Sequence, residues 1–138
     1  MKPNNKMTTI NAYLTFNGNC REAMTFYKEC LGGELNLLTV KGSPMETQWP
    51  KEVHNKILHS TLEKGNLVLL GSDMVEPQGL SMGNNISLSL ICSSNEEIEL
   101  FFNKLSVGGK IKYPPHNFYG GKIGGIIDKF GINWMLKL

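Results

Sequence analysis

Apolar and polar residues follow a pattern along this chain that occurs twice. In each copy the pattern predicts a short strand, then an amphipathic helix, then a Gly-Gly stop: residues 13–16, 19–31 and 32–33 in the first copy, and 88–91, 94–107 and 108–109 in the second. The helix starts lie 75 residues apart and the glycine pairs 76. One duplicated module is the simplest interpretation, and a cleft is expected where its two copies meet.

Both helices have matching start signals and matching apolar stripes. Asn19 with Glu22, and Ser94 with Glu97, have the spacing of a capping box, in which a side chain at each end satisfies a backbone donor. The stripes correspond position by position: Ala23 with Ile98, Phe26 with Phe101, Tyr27 with Phe102, and Cys30 with Leu105. Glycine after each helix predicts a left-handed residue that ends it.

Strands are predicted for the rest of each copy, at 34–40, 56–62 and 67–71, and at 110–113, 122–128 and 132–138. The prediction is therefore an α+β fold of two tandem βαβββ modules, at about residues 9–73 and 84–138, in one domain spanning 9–138. Residues 1–8 are expected to be frayed. The loops 41–55 and 114–121 carry Trp49, Phe118 and Tyr119, and are either lids over the cleft or ordinary surface connections.

Strand alternation indicates which side chains share a face. The helix-facing sets are Ala12, Leu14 and Phe16 in the first strand and Ile86, Leu88 and Leu90 in the fifth. The opposite sets are Asn11, Tyr13 and Thr15 and, in the fifth strand, Asn85, Ser87 and Ser89. In the third strand Ile57, His59 and Thr61 are expected to share a face, as are Asn133, Met135 and Lys137 in the last. These sets either line a ligand-binding wall or are simply the solvated faces of half-buried strands.

Composition narrows the class of function. The 138 residues include 14 basic and 12 acidic ones, and the net charge of +2 gives no electrostatic reason to expect a nucleic-acid or membrane partner. Three cysteines without a CxxC pair, and the absence of a signal-peptide pattern, predict reduced thiols and a cytoplasmic protein. No GxSxG, HExxH or paired-carboxylate motif occurs, and residues 128–131, Asp-Lys-Phe-Gly, are interpreted as a turn.

A recognisable set of motifs occurs, in order, at residues 13–28, 31–33, 56–62, 83–90, 120–124 and 128–135. Together these segments resemble the PhnB-like proteins of the glyoxalase, bleomycin-resistance and dioxygenase superfamily, also called vicinal oxygen chelate proteins. The resemblance covers nearly the whole chain from Thr9. It implies paired βαβββ modules whose curled mixed sheets surround a cleft, and assembly as a homodimer.

The resemblance also implies where a metal would bind. Metalloenzymes of the superfamily hold a divalent ion with one side chain from each of four strands, and the matching positions here are Asn11, His59, Asn85 and Met135. Only His59 is a good ligand for such an ion. No cofactor is therefore expected, and a hydrogen-bonded strand residue is the favoured interpretation of His59. The methyltransferase activity often attached to PhnB-like sequences is not adopted, because no nucleotide-binding strand and helix is recognisable.

The sequence thus predicts a protein that binds a small organic molecule in the cleft, with no catalytic residue assigned and enzymatic activity left open. The predicted ligand-binding residues are Tyr13, His59, Asn85 and Met135, with Trp49, Phe118 and Tyr119 as aromatic covers. One alternative is a divalent-metal-dependent lyase, isomerase or dioxygenase that uses His59. The other is a dimer that confers resistance by sequestering a drug.

Overall fold

Two four-stranded sheets, each accompanied by one helix, make up residues 7–138, the part of the chain that the computed structural model describes. The first module contains β1 (Ala12–Thr15), α1 (Cys20–Leu31), β2 (Glu34–Thr39), β3 (Ile57–Lys64) and β4 (Leu67–Ser72). The second contains β5 (Leu88–Ile91), α2 (Asn95–Leu105), β6 (Lys110–Phe118), β7 (Gly121–Ile127) and β8 (Asn133–Lys137). Most of the residues that were predicted to be frayed, residues 1–6 of 1–8, lie outside the described part.

The two sheets have the same topology. Their strand orders are β1-β4-β3-β2 and β5-β8-β7-β6. In each, the first strand pairs in parallel with the fourth, and the remaining neighbours are antiparallel. The predicted pair of βαβββ modules is therefore confirmed.

A single apolar core joins the modules. The helix-facing side chains of both sheets and the apolar stripes of α1 and α2 belong to one buried cluster, and the two helices contact each other. The helix sides of the two sheets consequently pack together, and the opposite faces of the sheets remain open to solvent. None of the helices among residues 7–138 is long and apolar enough to cross a membrane.

Asp128, between β7 and β8, is the polar centre of this junction and is only 3% exposed. Its Oδ2 accepts hydrogen bonds from the Tyr27 hydroxyl of the first module at 2.6 Å and from Trp134 Nε1 at 2.8 Å. Its Oδ1 accepts from the backbone amides of Phe130 and Ile132. Burial, reinforced by the adjacent carboxylate, raises the pKa of Tyr27 far above its ordinary value, so this hydroxyl remains a donor.

Within the described part of the chain, the side chain of Asp73, directly after β4, accepts hydrogen bonds only from segments of the first module. Its Oδ1 accepts from the amides of Gly18 and Cys20 at the start of α1, and its Oδ2 accepts from the amide of Ile57 at the start of β3. The chain has no third aspartate. Both aspartates are therefore buried carboxylates satisfied by several donors.

The predicted capping boxes have different outcomes. Ser94 Oγ accepts from the amide of Glu97, and Glu97 Oε1 accepts from the amide of Ser93, so the second cap is confirmed. The prediction for Asn19 is wrong, because its side chain makes no capping hydrogen bond and Asp73 supplies that acceptor from 53 residues away along the chain. The glycine stops are confirmed by the positive φ of Gly32 and Gly108.

Two predictions about strand faces are wrong. Ile57 is buried in the core instead of sharing a face with His59, because a register shift between β2 and β3 at Leu38 and Thr39 reverses the alternation there. Ile86 is 74% exposed because β5 begins only at Leu88.

The predicted loop at 114–121 is also largely wrong, since β6 continues to Phe118. Pro114 and Pro115 are accommodated because β6 is an edge strand and its pairing with β7 is irregular between Tyr113 and His116. The loop at 41–55 lies between strands as predicted and contains one 3-10 turn, Lys51–Val53.

We expect Asp128→Asn to lower the free energy of unfolding by about 2–4 kcal/mol, because either orientation of the amide turns its NH₂ group toward two donors. Tyr27→Phe should cost about 1–2 kcal/mol. Urea denaturation of the two single variants and the double variant measures the coupling between these groups, with Glu99→Gln on the surface as a control expected to change stability by less than about 0.5 kcal/mol. Strict additivity of the two single effects would contradict the proposed link between modules.

The two helix starts should respond differently to the loss of the predicted cap. We expect Ser94→Ala to cost about 1 kcal/mol of stability, whereas Asn19→Ala should change it by less than about 0.5 kcal/mol. Denaturation curves of both variants test this difference. Equal losses at the two positions would show that Asn19 caps α1 in solution.

Candidate functional site

The open face of the first sheet brings two predicted residues into contact. The Tyr13 hydroxyl lies 3.3 Å from His59 Nδ1, and the two rings are 5.8 Å apart between centroids. Tyr13 is 50% exposed and His59 is half-buried. A polar pair is thus accessible to solvent on this face.

Apolar side chains surround the pair. Leu38 of β2 lies opposite His59 in the strand register and is 43% exposed. Leu70 of β4 is the register partner of both Tyr13 and Thr61, and it is half-buried. Polar side chains share this face as well, because Thr61 and Asn36 lie in the same row of the sheet as Leu70. Apolar surface combined with a few hydrogen-bonding groups is typical of small-molecule sites.

Met135 and Asn85 lie in the second module. Met135 is half-buried in β8, with Ser89 and Gly125 as its register partners. The Tyr113 ring lies against Gly125, where an added Cβ would come within 2.7 Å of the ring. Asn85 is exposed in the segment before β5.

The four predicted cleft residues are therefore divided between the two modules, with Tyr13 and His59 in the first and Asn85 and Met135 in the second. The structure joins Tyr13 to His59 and places Met135 on the open face of the other sheet. Among residues 7–138, no hydrogen bond, ring contact or strand pairing joins Tyr13 or His59 to Met135.

The predicted aromatic covers also lie apart. Trp49 is half-buried and lines a cavity of about 500 Å³ together with Lys56, Met74 and other residues of the segment after β4. Phe118 and Tyr119 pack edge to face at 4.6 Å at the end of β6, and Tyr119 is 94% exposed. None of the hydrogen bonds or ring contacts of residues 7–138 connects these three rings to Tyr13 or His59.

Leu70 lies on the face of Tyr13 and His59 and was not among the predicted ligand-binding residues. Tyr13 pairs with Leu70 in the first sheet as Ser89 pairs with Met135 in the second, so Leu70 corresponds to Met135 by topology. His59, in contrast, lies one strand further from β1. The sequence did contain a signal for this correspondence. β4 and β8 are each the fourth strand of their module, so matching strands by their order would have related Leu70 to Met135.

Asn133 is a second residue that was not assigned to the site. It shares the β8 face with Met135 by alternation, and it is only 7% exposed. Its Oδ1 has no hydrogen-bond partner among residues 7–138. An unused buried acceptor therefore lies beside the open face of the second sheet.

The described residues offer few side chains for nucleophilic chemistry or for metal binding. Burial raises the pKa of each of the three thiols, Cys20, Cys30 and Cys92, from 9.0 to about 11, which disfavours the nucleophilic thiolate. Across residues 7–138, no three His, Cys, Asp or Glu side chains come together as a group that could hold a metal ion. The neighbours of His59 in the strand register offer no carboxylate, so this donor set does not fit a divalent metal centre.

Comparison with known proteins identifies relatives over nearly the full length. The family model described as 3-demethylubiquinone-9 3-methyltransferase matches residues 8–137. Protein YjdN of Escherichia coli (strain K12) is 27% identical, over 94% of this chain and 94% of YjdN. The crystal structure of protein PA1353 from Pseudomonas aeruginosa is 36% identical, with a TM-score of 0.81 over 94% of this chain and 96% of that one.

Two further structures are similar in fold. A putative 3-demethylubiquinone-9 3-methyltransferase, PhnB protein, from Bacillus cereus is 24% identical, with a TM-score of 0.72 over 95% of this chain and 99% of that one. A glyoxalase/bleomycin resistance protein from Albidiferax ferrireducens T118 is 14% identical, with a TM-score of 0.61 over 94% and 98% of the two chains.

The matched family model, together with the paired βαβββ modules, confirms the resemblance found in the sequence. The family description names an activity of a group of proteins and does not assign that activity to this chain. The chain belongs to the 3-demethylubiquinone-9 3-methyltransferase family, and it shares the fold of the PhnB protein and of the glyoxalase/bleomycin resistance protein.

Proposed function

We propose that this chain binds a small organic molecule against the open face of its first sheet, without a metal centre of the superfamily type. The observation that carries the proposal is the contact between the Tyr13 hydroxyl and His59 Nδ1 on an accessible face that also presents Leu38 and Leu70. The exposed rings supply stacking surface, and the paired hydroxyl and imidazole supply a directional hydrogen bond.

The proposal includes a homodimer in which the open face of one copy lies opposite that of another. Each sheet exposes apolar side chains on this side: Tyr13 and Leu38 on the first, Ile91 on the second. Exposed apolar surface on a sheet face favours association. The ligand would lie between Tyr13 and His59 of one copy and the Met135 face of the other, which unites the divided set of predicted residues.

The metal-free part of the proposal rests on the donors around His59. Its register partner is Leu38, and Leu70 occupies the position that corresponds to Met135. No step of a reaction is therefore assigned to a metal. A drug is one class of small organic molecule that such a dimer would sequester.

Ligand binding should depend on His59 and not on other histidines. We expect a ligand found in a thermal-shift screen of phenols, benzoates and quinones to stabilise the protein by about 2.7 kcal/mol at one hundred times its Kd. His59→Ala should weaken binding about tenfold, because one hydrogen bond and one stacking surface are lost. The matched control is His116→Ala, since His116 is exposed and bonds only to the Pro114 carbonyl. Equal effects of the two substitutions would contradict the proposed site.

Native mass spectrometry tests the metal and the dimer together. After incubation with Mn²⁺ or Zn²⁺ and desalting, we expect the mass of two chains without a stoichiometric ion. A tightly held ion that disappears in His59→Ala would overturn the metal-free proposal and favour the metalloenzyme alternative. A mass of one chain at all concentrations would overturn the dimer.

A further inference from the structure

A groove of about 550 Å³ lies between the modules, next to β1 and β5. Its walls are mainly apolar and include Leu31, Leu69, Leu88, Leu90, Phe101 and Trp134. This volume and lining are typical of small-ligand sites at the junction of two structural units. Tyr13, His59 and Met135 do not line the groove. Ser89 and Ile91 of β5 belong both to the groove and to the open face of the second sheet, so the two sites are adjacent at β5.

One wall of the groove is the open edge of β5. All of residues 87–91 line it, and β5 pairs only with β8 within the described part of the chain. The amide of Cys92 donates to the Lys137 carbonyl at 2.7 Å. Because hydrogen-bonding directions alternate along a strand, the amides of Leu88 and Leu90 also face β8, and the backbone groups of Ser89 and Ile91 face the groove.

Two opposite charges also line the groove. Lys64 Nζ donates to the Leu31 carbonyl at 2.9 Å and lies 5.7 Å from the centre of the Phe101 ring. Glu97 Oε1 accepts from the amide of Ser93 at 3.0 Å. Neither side chain forms an ion pair with another residue in the range 7–138. The groove therefore offers one ammonium and one carboxylate without a charged partner.

We propose that the groove binds a short apolar peptide with free termini, held in extended form as an additional strand beside β5. The peptide backbone bonds to the groove-facing groups of Ser89 and Ile91, as in other cases of strand addition. Its apolar side chains pack on the leucines. Its terminal carboxylate pairs with Lys64 and its terminal ammonium with Glu97, so a zwitterion uses both charges.

Trp134 provides the readout, because it is a lining residue of the groove. Trp49 lines the other cavity, and Trp49→Phe leaves Trp134 as the remaining tryptophan of the two. In this background the tripeptide Leu-Ala-Leu should change the fluorescence of Trp134 saturably. The same tripeptide N-methylated at its central amide should bind about tenfold more weakly. N-acetylation or C-amidation should each weaken binding about two- to fivefold.

Two pairs of variants test the protein side. Ser89→Pro removes a groove-facing N–H without removing a bond to β8 and should weaken binding about tenfold, whereas Ser89→Ala keeps the N–H and should bind normally. Lys64→Met should weaken binding of the free tripeptide but not of its C-amide. Lys129→Met is the control, since Lys129 also lies over a ring, that of Phe26 at 4.5 Å, but does not line the groove.

If Ser89→Pro fails to fold, the N-methylated tripeptide tests the same contact on the unaltered edge. His59→Ala should bind Leu-Ala-Leu normally, so failure of the small-molecule proposal leaves this one standing. An unsaturable response, or equal binding of the methylated and unmethylated tripeptides, would overturn the peptide proposal. A third result would also overturn it: sedimentation shows a dimer, and Leu-Ala-Leu does not bind to that dimer. A second copy of the chain would then occupy the β5 edge.

Discussion

The carboxylate of Asp128 holds together groups from both halves of the chain. It accepts the hydroxyl of Tyr27 from the first module and the indole N–H of Trp134 from its own. Burying a carboxylate costs free energy unless its oxygens are satisfied, and here each oxygen has two donors. The donors come from α1, from the β7–β8 turn and from β8, so this one carboxylate connects the first helix to the second sheet.

The fold is symmetric, but the contacts that stabilise it are not. Both modules share one topology, and each helix is followed within three residues by a glycine with positive φ. The two aspartates nevertheless follow different strands, β4 and β7, and serve different purposes. A duplicated chain keeps its topology because alternation and helix periodicity recur in both copies. Its buried polar groups can differ between the two copies, because each group needs only hydrogen-bond partners around its own position.

Residues whose structure depends on near neighbours were predictable. The duplicated modules, the helix stripes and the Ser94 cap follow from local spacing, and the family resemblance was visible in the motifs. The prediction that Asn19 caps α1 failed because the acceptor at the start of this helix, Asp73, is distant in sequence. Ile57 failed because a register shift depends on the partner strand. The separation of Tyr13 from Met135 was not predictable from strand alternation, which shows which face a side chain occupies but not which faces meet.

The irregular edge strand β6 has a consequence for behaviour at high concentration. Its two prolines withhold backbone donors, and its lysines, Lys110 and Lys112, place charge along the strand. Both features oppose the sideways addition of strands from other molecules. The β5 edge at the other side of the same sheet lacks proline and lysine. Addition of strands to this sheet is therefore disfavoured at the β6 edge and left to the β5 edge.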